Sequence, residues 1–261
     1  MTRIAENSRE IRFDSLVAEE PLEIRVGGRP LAVTMRTPGN DFELATGFLL
    51  SEGLITGAAD VATISYCPGP DAQAFNVLDV AFTPGVRPPA DNAARPFLTT
   101  SSCGLCGKAS IDDVRSKSVY DVRSDPMRLP ASVLCALPER LRSAQKVFER
   151  TGGLHAAGVF DGDGTLLCLR EDVGRHNAFD KAIGWAAMSG RLPLRGKVIL
   201  ASGRASFELV QKALMAGVPM LAAVSAPSSL AAELAEQAGM TLVGFLRGDT
   251  MNIYAGAARV V

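Results

Sequence analysis

The chain has 261 residues, with 27 Lys and Arg against 28 Asp and Glu and a formal net charge of -1. That balance gives no bulk attraction to nucleic acid or to an anionic membrane. Apolar residues make up 47%, enough to bury a sizeable core in one large domain or two unequal ones. The opening residues, Met1 to Ser8, carry no apolar run of the kind a signal peptide needs. The most apolar stretches, such as 218–224, fall far short of the roughly 20 residues of a membrane helix. The five cysteines, Cys67, Cys103, Cys106, Cys135 and Cys168, are sparse and odd in number. That pattern suits a reduced, cytoplasmic protein better than a secreted disulfide scaffold.

Residues 1–10 are polar, and disorder is expected there. Alternation over 15–20, 22–26 and 31–35, around Gly27-Gly28-Arg29-Pro30, predicts a hairpin. Residues 41–53 predict a helix capped by Asp41 and ended by Gly53. Strands follow at 61–66 and 74–82, then a Pro-rich linker at 84–96. Residues 1–98 thus form a small α+β domain, and 99–112 a mobile loop. Apolar residues at 137, 141, 144, 147 and 148 predict a helix, with Pro138 in its first turn and Gly152 as its stop. Residues 156–169 read as a hairpin around Asp161-Gly-Asp-Gly164. Helices at 177–188 (capped by Asn177), 207–216 and 229–238 then alternate with strands at 197–201, 220–224 and 241–246. This alternation over 113–261 predicts an α/β domain with a mostly parallel sheet covered on both faces. The whole chain is α/β, or α+β overall.

Two thiols lie in Ser102-Cys-Gly-Leu-Cys-Gly107. Structural zinc usually takes four ligands, and the two histidines, His155 and His176, lack finger-like spacing, so no structural zinc is expected. A thioredoxin-type pair opens a helix after a strand. Here glycines and serines flank the cysteines, which argues for a pliant surface loop carrying nucleophilic sulfur. A sulfur carrier and a dithiol oxidoreductase both remain open on this ground. Lys108 is placed to lower one thiol pKa. Cys67, Cys135 and Cys168 read as packing residues, and Phe179 and Trp185 as core.

Polar clusters recur at strand-to-helix junctions: Arg170–Lys181 with Arg175 and His176, then Ser202-Gly203-Arg204, then 225–229. A further cluster, Phe245, Leu246, Arg247, Gly248, Asp249 and Thr250, follows the last predicted strand. Open sheets place ligands at the carboxyl ends of their strands, and helix N-termini receive phosphate. These clusters predict a nucleotide or a phosphorylated cofactor.

With these motifs in view, the sequence resembles the FdhD family of formate dehydrogenase accessory sulfurtransferases over almost its whole length. The resemblance rests on Ser102–Gly107, Thr151-Gly-Gly-Leu-His155, Glu171–Lys181, Ser202-Gly-Arg204, and Arg247 with Asn252-Ile-Tyr254. It implies a protein that accepts sulfur from a cysteine desulfurase and passes it to a molybdenum (or tungsten) bis-pyranopterin guanine dinucleotide cofactor destined for formate dehydrogenase. It implies a persulfide on Cys103 with Cys106 as partner, and a cofactor segment at 245–250, with GDP or GTP as a mimic. It also implies a homodimer and a larger domain similar to cytidine deaminase. A deaminase, however, needs His-x-Glu and a downstream Pro-Cys-x-x-Cys. Neither histidine here begins His-x-Glu, and the thiols lie upstream of both. The implied architecture therefore carries no deaminase chemistry. A cofactor chaperone without sulfur transfer is the competing reading.

Overall fold

The computed structural model describes residues 1–6, 8–67, 75–89 and 118–261. Cys103, Cys106 and the rest of the predicted 99–112 loop lie outside the described residues.

The first residues are not the disordered tail expected from their polarity. β1 (Thr2–Ala5) and β2 (Ser8–Ile11) form a solvent-exposed antiparallel hairpin, with the β-branched Thr2, Ile4 and Ile11 on its strands. β3 (Glu20–Val26) and β4 (Arg29–Arg36) form the predicted second hairpin. Gly27 and Gly28 join them with φ of 56° and 78°. Positive φ at both central positions is what the tight primed hairpin turn demands, and glycine adopts it without strain. β5 (Val61–Tyr66) and β6 (Val77–Phe82) complete a four-stranded sheet ordered β4-β3-β6-β5.

Between β4 and β5 runs α1 (Asp41–Ser51). Asp41 opens this helix but does not cap it; Asn40 precedes it in the left-handed region and makes no side-chain cap. The Asp41 carboxylate is turned inward, 3.0 Å from the fully buried Arg36, and accepts a 3.0 Å bond from the Tyr66 hydroxyl. A charged pair that needs a partner inside outcompetes a cap at the surface.

The second half begins with α2 (Ala131–Ala144) and α3 (Lys146–Thr151). One helix over 137–150 was expected. The real start is a turn and a half earlier, so Pro138 sits inside α2, and Gln145 (φ -77°, ψ 77°) breaks the helix. Leu134, Leu137 and Leu141 keep one apolar stripe on the core, which the window from 137 onward truncated.

A six-stranded sheet follows, ordered β12-β11-β10-β9-β7-β8. Its strands are β7 (His155–Phe160), β8 (Leu166–Asp172), β9 (Val198–Ala201), β10 (Met220–Ala223), β11 (Thr241–Arg247) and β12 (Thr250–Ala255). The α/β class holds, but the sheet is mixed rather than mostly parallel. Only β9, β10 and β11 are parallel neighbours; β8, β7 and β9 alternate in direction, and β12 runs antiparallel to β11. Crossover helices α5 (Phe207–Met215) and α6 (Ser229–Ala238) connect the parallel strands. Tight turns at 161–164 and 248–249 fold the chain back on itself at the two edges, and a short return admits only antiparallel pairing.

Both faces of this sheet are covered, as the alternation predicted. Ile199, Ala201, Leu221 and Ala223 face one core with α1, α4 (Arg175–Met188), α5 and α6. Val198, Leu200, Met220 and Ala222 face the other, against α2. The period of two assigns alternate residues of each strand to opposite cores. The first of these cores also takes in Leu22, Ile24 and Leu78 of the N-terminal sheet.

Candidate functional site

The parallel strands deliver their carboxyl ends to one place. Ser202 follows β9, Val224 follows β10, Leu246 and Arg247 end β11 and Gly248 follows it; all line one cavity of about 680 Å³. Open sheets bind ligands at this position, and the volume falls within the usual small-molecule range. The opposite wall is the α2–α3 elbow. There Arg142 lies with its guanidinium 4.3 Å from the centre of the Phe148 ring, and both residues line the cavity. Gly152 (φ 65°) ends α3 and turns the chain toward β7, which starts at His155 on the cavity wall.

The predicted segment 245–250 is not a loop beyond the last strand. It is the end of β11 and its turn into β12, a strand missed because its short, polar-interrupted sequence shows no clean alternation. Arg247 pairs with Thr250 across the turn, and Gly248 takes φ 55° at its first central position. The Thr250 hydroxyl donates to the Arg247 carbonyl at 3.2 Å. Phe245 holds a left-handed φ of 51° at an irregularity in the ladder, exposed, with the Arg247 guanidinium 5.6 Å from its ring centre. The Arg247 Nε donates to the Val224 carbonyl at 3.1 Å, which holds that cation at the cavity rim. Leu246 is buried, and Asp249 is exposed at the tip.

A second polar group adjoins the cavity. Arg175 and His176 occupy the first turn of α4, and Gly174, not Asn177, stands at its cap position. Asn177 lies inside, where its amide donates to the Met35 carbonyl at 2.7 Å and to Asp172 at 3.1 Å. His176 Nε2 lies 2.7 Å from Glu208 and 3.3 Å from the Ser206 hydroxyl. Arg175 Nε is sealed from solvent with no partner among the described residues. Gly203 abuts the His155 ring, and Arg204 projects into solvent. Burial first, then the charges of Arg175 and His176, hold the His155 imidazole below its ordinary pKa; Asp172 acts weakly the other way.

Asp172 organises this corner. It is fully buried and accepts bonds from the amides of Thr37 and Gly174, from Asn177, and from Lys181 at 2.7 Å. Through those bonds it ties β4's exit, β8 and the start of α4 together.

The structure therefore brings Ser202, Leu246, Arg247 and Gly248 onto one cavity and sets Arg175, His176 and Gly203 around His155 beside it. Phe245, Asp249, Thr250 and Arg204 lie at its outer margin. Sequence reasoning missed Cys135, Arg142, Gln145, Phe148 and His155 as wall residues. The helical ones carry no motif, because their spacing is that of any amphipathic helix. Cys135, assigned to packing, does pack against the second core and also lines the cavity. His155 had one signal, its place in Thr151-Gly-Gly-Leu-His155.

A family model described as FdhD/NarQ matches residues 17–261. The chain belongs to the FdhD/NarQ family. Relatives within it include a protein named sulfur carrier protein FdhD from Mycolicibacterium paratuberculosis. It is 61% identical over 252 residues, covering 95% of this chain and 93% of the relative. Another of that name, from Streptomyces coelicolor, is 57% identical over 262 residues, covering 99% and 93%. A solved structure described as a formate dehydrogenase accessory protein from Desulfotalea psychrophila shares the fold. Its TM-score is 0.77 at 23% identity, covering 100% of this chain and 97% of the other. Among the described residues of this FdhD/NarQ protein, no helix is long and apolar enough to cross a membrane.

Proposed function

We propose that this chain is a sulfurtransferase. In this reading it accepts persulfide sulfur from a cysteine desulfurase and passes it to a molybdenum or tungsten bis-pyranopterin guanine dinucleotide, in the maturation of formate dehydrogenase. The observation that carries the cofactor half is the cavity at the ends of β9, β10 and β11. Its rim arginine, Arg247, and the neighbouring Arg175 supply positive charge for a diphosphate. Its size admits one nucleotide-sized arm of the cofactor rather than the whole molecule. The sulfur half is supported by the name that relatives bear and by the pair Cys103 and Cys106.

The chemistry balances without an outside oxidant. The Cys103 thiolate attacks the outer sulfur of the donor's persulfide, the donor leaves as a thiol, and Cys103 becomes a persulfide. The Cys106 thiolate then attacks the inner sulfur. Hydrosulfide leaves toward the metal of the bound substrate, and a Cys103–Cys106 disulfide remains. Two thiol electrons have reduced the sulfane sulfur, so a cellular dithiol must reduce the disulfide before the next cycle. Arg175, His176, Ser202, Gly203 and Arg204 hold the phosphates, and the 245–250 turn positions the substrate's edge.

Three measurements test this. Incubation with a desulfurase and cysteine should add the mass of one sulfur atom at Cys103 or Cys106, and a protein that never gains it is no sulfur carrier. Cells carrying Cys103→Ala with Cys106→Ala should lose formate dehydrogenase activity, whereas a cofactor chaperone would keep it. Calorimetry should show GDP binding that weakens in Arg247→Ala and Arg204→Ala; no heat with wild-type protein would remove the cofactor half.

A further inference from the structure

We propose that His155 grips the anionic part of the ligand in this cavity and takes up a proton as it does so, making ligand capture proton-coupled. This rests on the cavity being the cofactor site and adds to it a contact residue and a dependence on pH.

Placement carries the proposal. His155 starts β7 and lines the cavity opposite the α2–α3 elbow. Its backbone is pinned by its pairing with Asp172 on β8. The next residue is pinned on the β9 side, where the Ala156 amide donates to the Ser202 hydroxyl at 2.8 Å. The ring itself is half-buried, and among the described residues no hydrogen bond holds either of its nitrogens. Burial without a partner is costly for an imidazole, so a half-buried free ring at a cavity wall is placed for a ligand. Gly203 makes this access possible. A side chain there would begin 3.4 Å from Nδ1 and cover that edge of the ring.

The surrounding charges define the ligand. From α4, Arg175 and His176 act on His155, and the Arg175 Nε lacks a partner among the described residues. His176 is occupied by Glu208 and Ser206 of the α5 start. From β11 and α2 come Arg247 and Arg142, with Glu139 the one carboxylate on the cavity wall among the described residues. From β8 comes Asp172, whose oxygens already accept from Thr37, Gly174, Asn177 and Lys181. Two arginines thus face one carboxylate on the cavity wall, and the fitting group is a phosphate or diphosphate.

The sign of the coupling follows. In the free protein, burial first and then the Arg175 charge hold the His155 pKa below its ordinary value and favour the neutral ring. A phosphate within about 4–6 Å favours the imidazolium and raises its pKa. Binding then draws in a proton between the free and bound pKa values. Affinity is highest on the acid side and falls as pH rises through the bound value.

Calorimetry with GDP at about pH 6 and about pH 8 tests this in the full chain. The terminal phosphate of GDP titrates in the same range, so the readout is the difference between wild type and His155→Gln. Wild type should lose about tenfold more affinity across that window than the variant, equivalent to one pKa unit of coupling. Buffers of different ionisation enthalpy should reveal proton uptake that the variant lacks. Equal slopes would overturn the proposal and leave the cavity reading intact, whereas wild-type protein that binds no GDP would end the cavity reading. A second measurement needs neither GDP nor the variant's folding. The chain has two histidines, so the His155 imidazole signal can be assigned by NMR, and inorganic diphosphate should raise its pKa. A signal that diphosphate leaves unmoved would also overturn the proposal.

Discussion

Gly47 of α1 and Gly184 of α4 lie where each helix touches the other's backbone. A Cβ at Gly47 would stand 1.9 Å from the Asp180 carbonyl oxygen, and one at Gly184 would stand 1.8 Å from that of Glu43. The two glycines let the N-terminal helix pack directly on the helix whose first turn carries Arg175 and His176. Neither backbone can retreat, because both helices sit in one core with the sheet. Gly47→Ala or Gly184→Ala should therefore destabilise by about 3 kcal/mol or more, at the upper end of overpacking costs. Chemical denaturation checks this; a loss under about 1 kcal/mol would mean that the helices slide apart easily.

The same crossing buries a charge pair. Asp180 accepts from Lys212 at 2.8 Å and from the Ser51 hydroxyl at 2.8 Å, with all three side chains buried. Burial by itself would lower the Lys212 pKa, but Asp180, with Glu52 and Glu208, outweighs it, and the net shift is upward. Asp180→Ala should cost about 3–5 kcal/mol, because it strands a buried ammonium. The raised lysine contributes stability that is complete below its unfolded pKa and is lost as pH rises through the folded one. Denaturant titrations from neutral pH to above about pH 10.5 should show wild type weakening at the alkaline end and Lys212→Met, paired with Asp180→Leu, losing that dependence.

How much of this was legible in the sequence depended on which force wrote it. The β3–β4 hairpin was, because Gly27-Gly28 and the flanking alternation report the same local geometry. The central strands and crossover helices of the second half were too, since each buries a face of fixed period. The β7–β8 hairpin was too, through its Asp161-Gly-Asp-Gly164 turn, but the antiparallel β12 edge was not. Pairing direction follows from which strand lies beside which, and β12 holds only Met251 and Ala255 inward enough to mark a pattern. Asp41 and Asn177 were misread as caps for a related reason. Their types favour helix starts, but distant partners, Arg36 in one case and Met35 and Asp172 in the other, claim their side chains. At the site, the strand-end residues announced themselves as polar clusters on apolar strands. The α2–α3 wall did not, because a cavity-lining residue on an amphipathic helix looks like any residue at the margin of its apolar stripe.

Arg142 and Phe148 form the wall that the sequence hid. The guanidinium over the ring makes a flat cationic surface facing the strand ends, suited to a planar base or an anion. Arg142→Ala should weaken GDP binding by about fivefold, on the order of 1 kcal/mol, with little change in thermal stability because the side chain is exposed. Unchanged affinity would place the ligand away from the elbow.

Two cysteines report on the cavity by their contrast. Burial pushes the Cys168 thiol up to about 12. Since only the thiolate reacts, about one molecule in 10⁴ is competent there at pH 8. Cys135, a partly exposed residue of α2, lines the cavity. Iodoacetamide should therefore modify Cys135 in the folded protein and reach Cys168 only after denaturation, as peptide mass spectrometry would show. GDP should slow the Cys135 reaction by filling the space beside it. Labelling of Cys168 at a comparable native rate would contradict its burial against the α4 face, and Cys135 labelling indifferent to GDP would mean that the nucleotide does not reach the α2 side of the cavity.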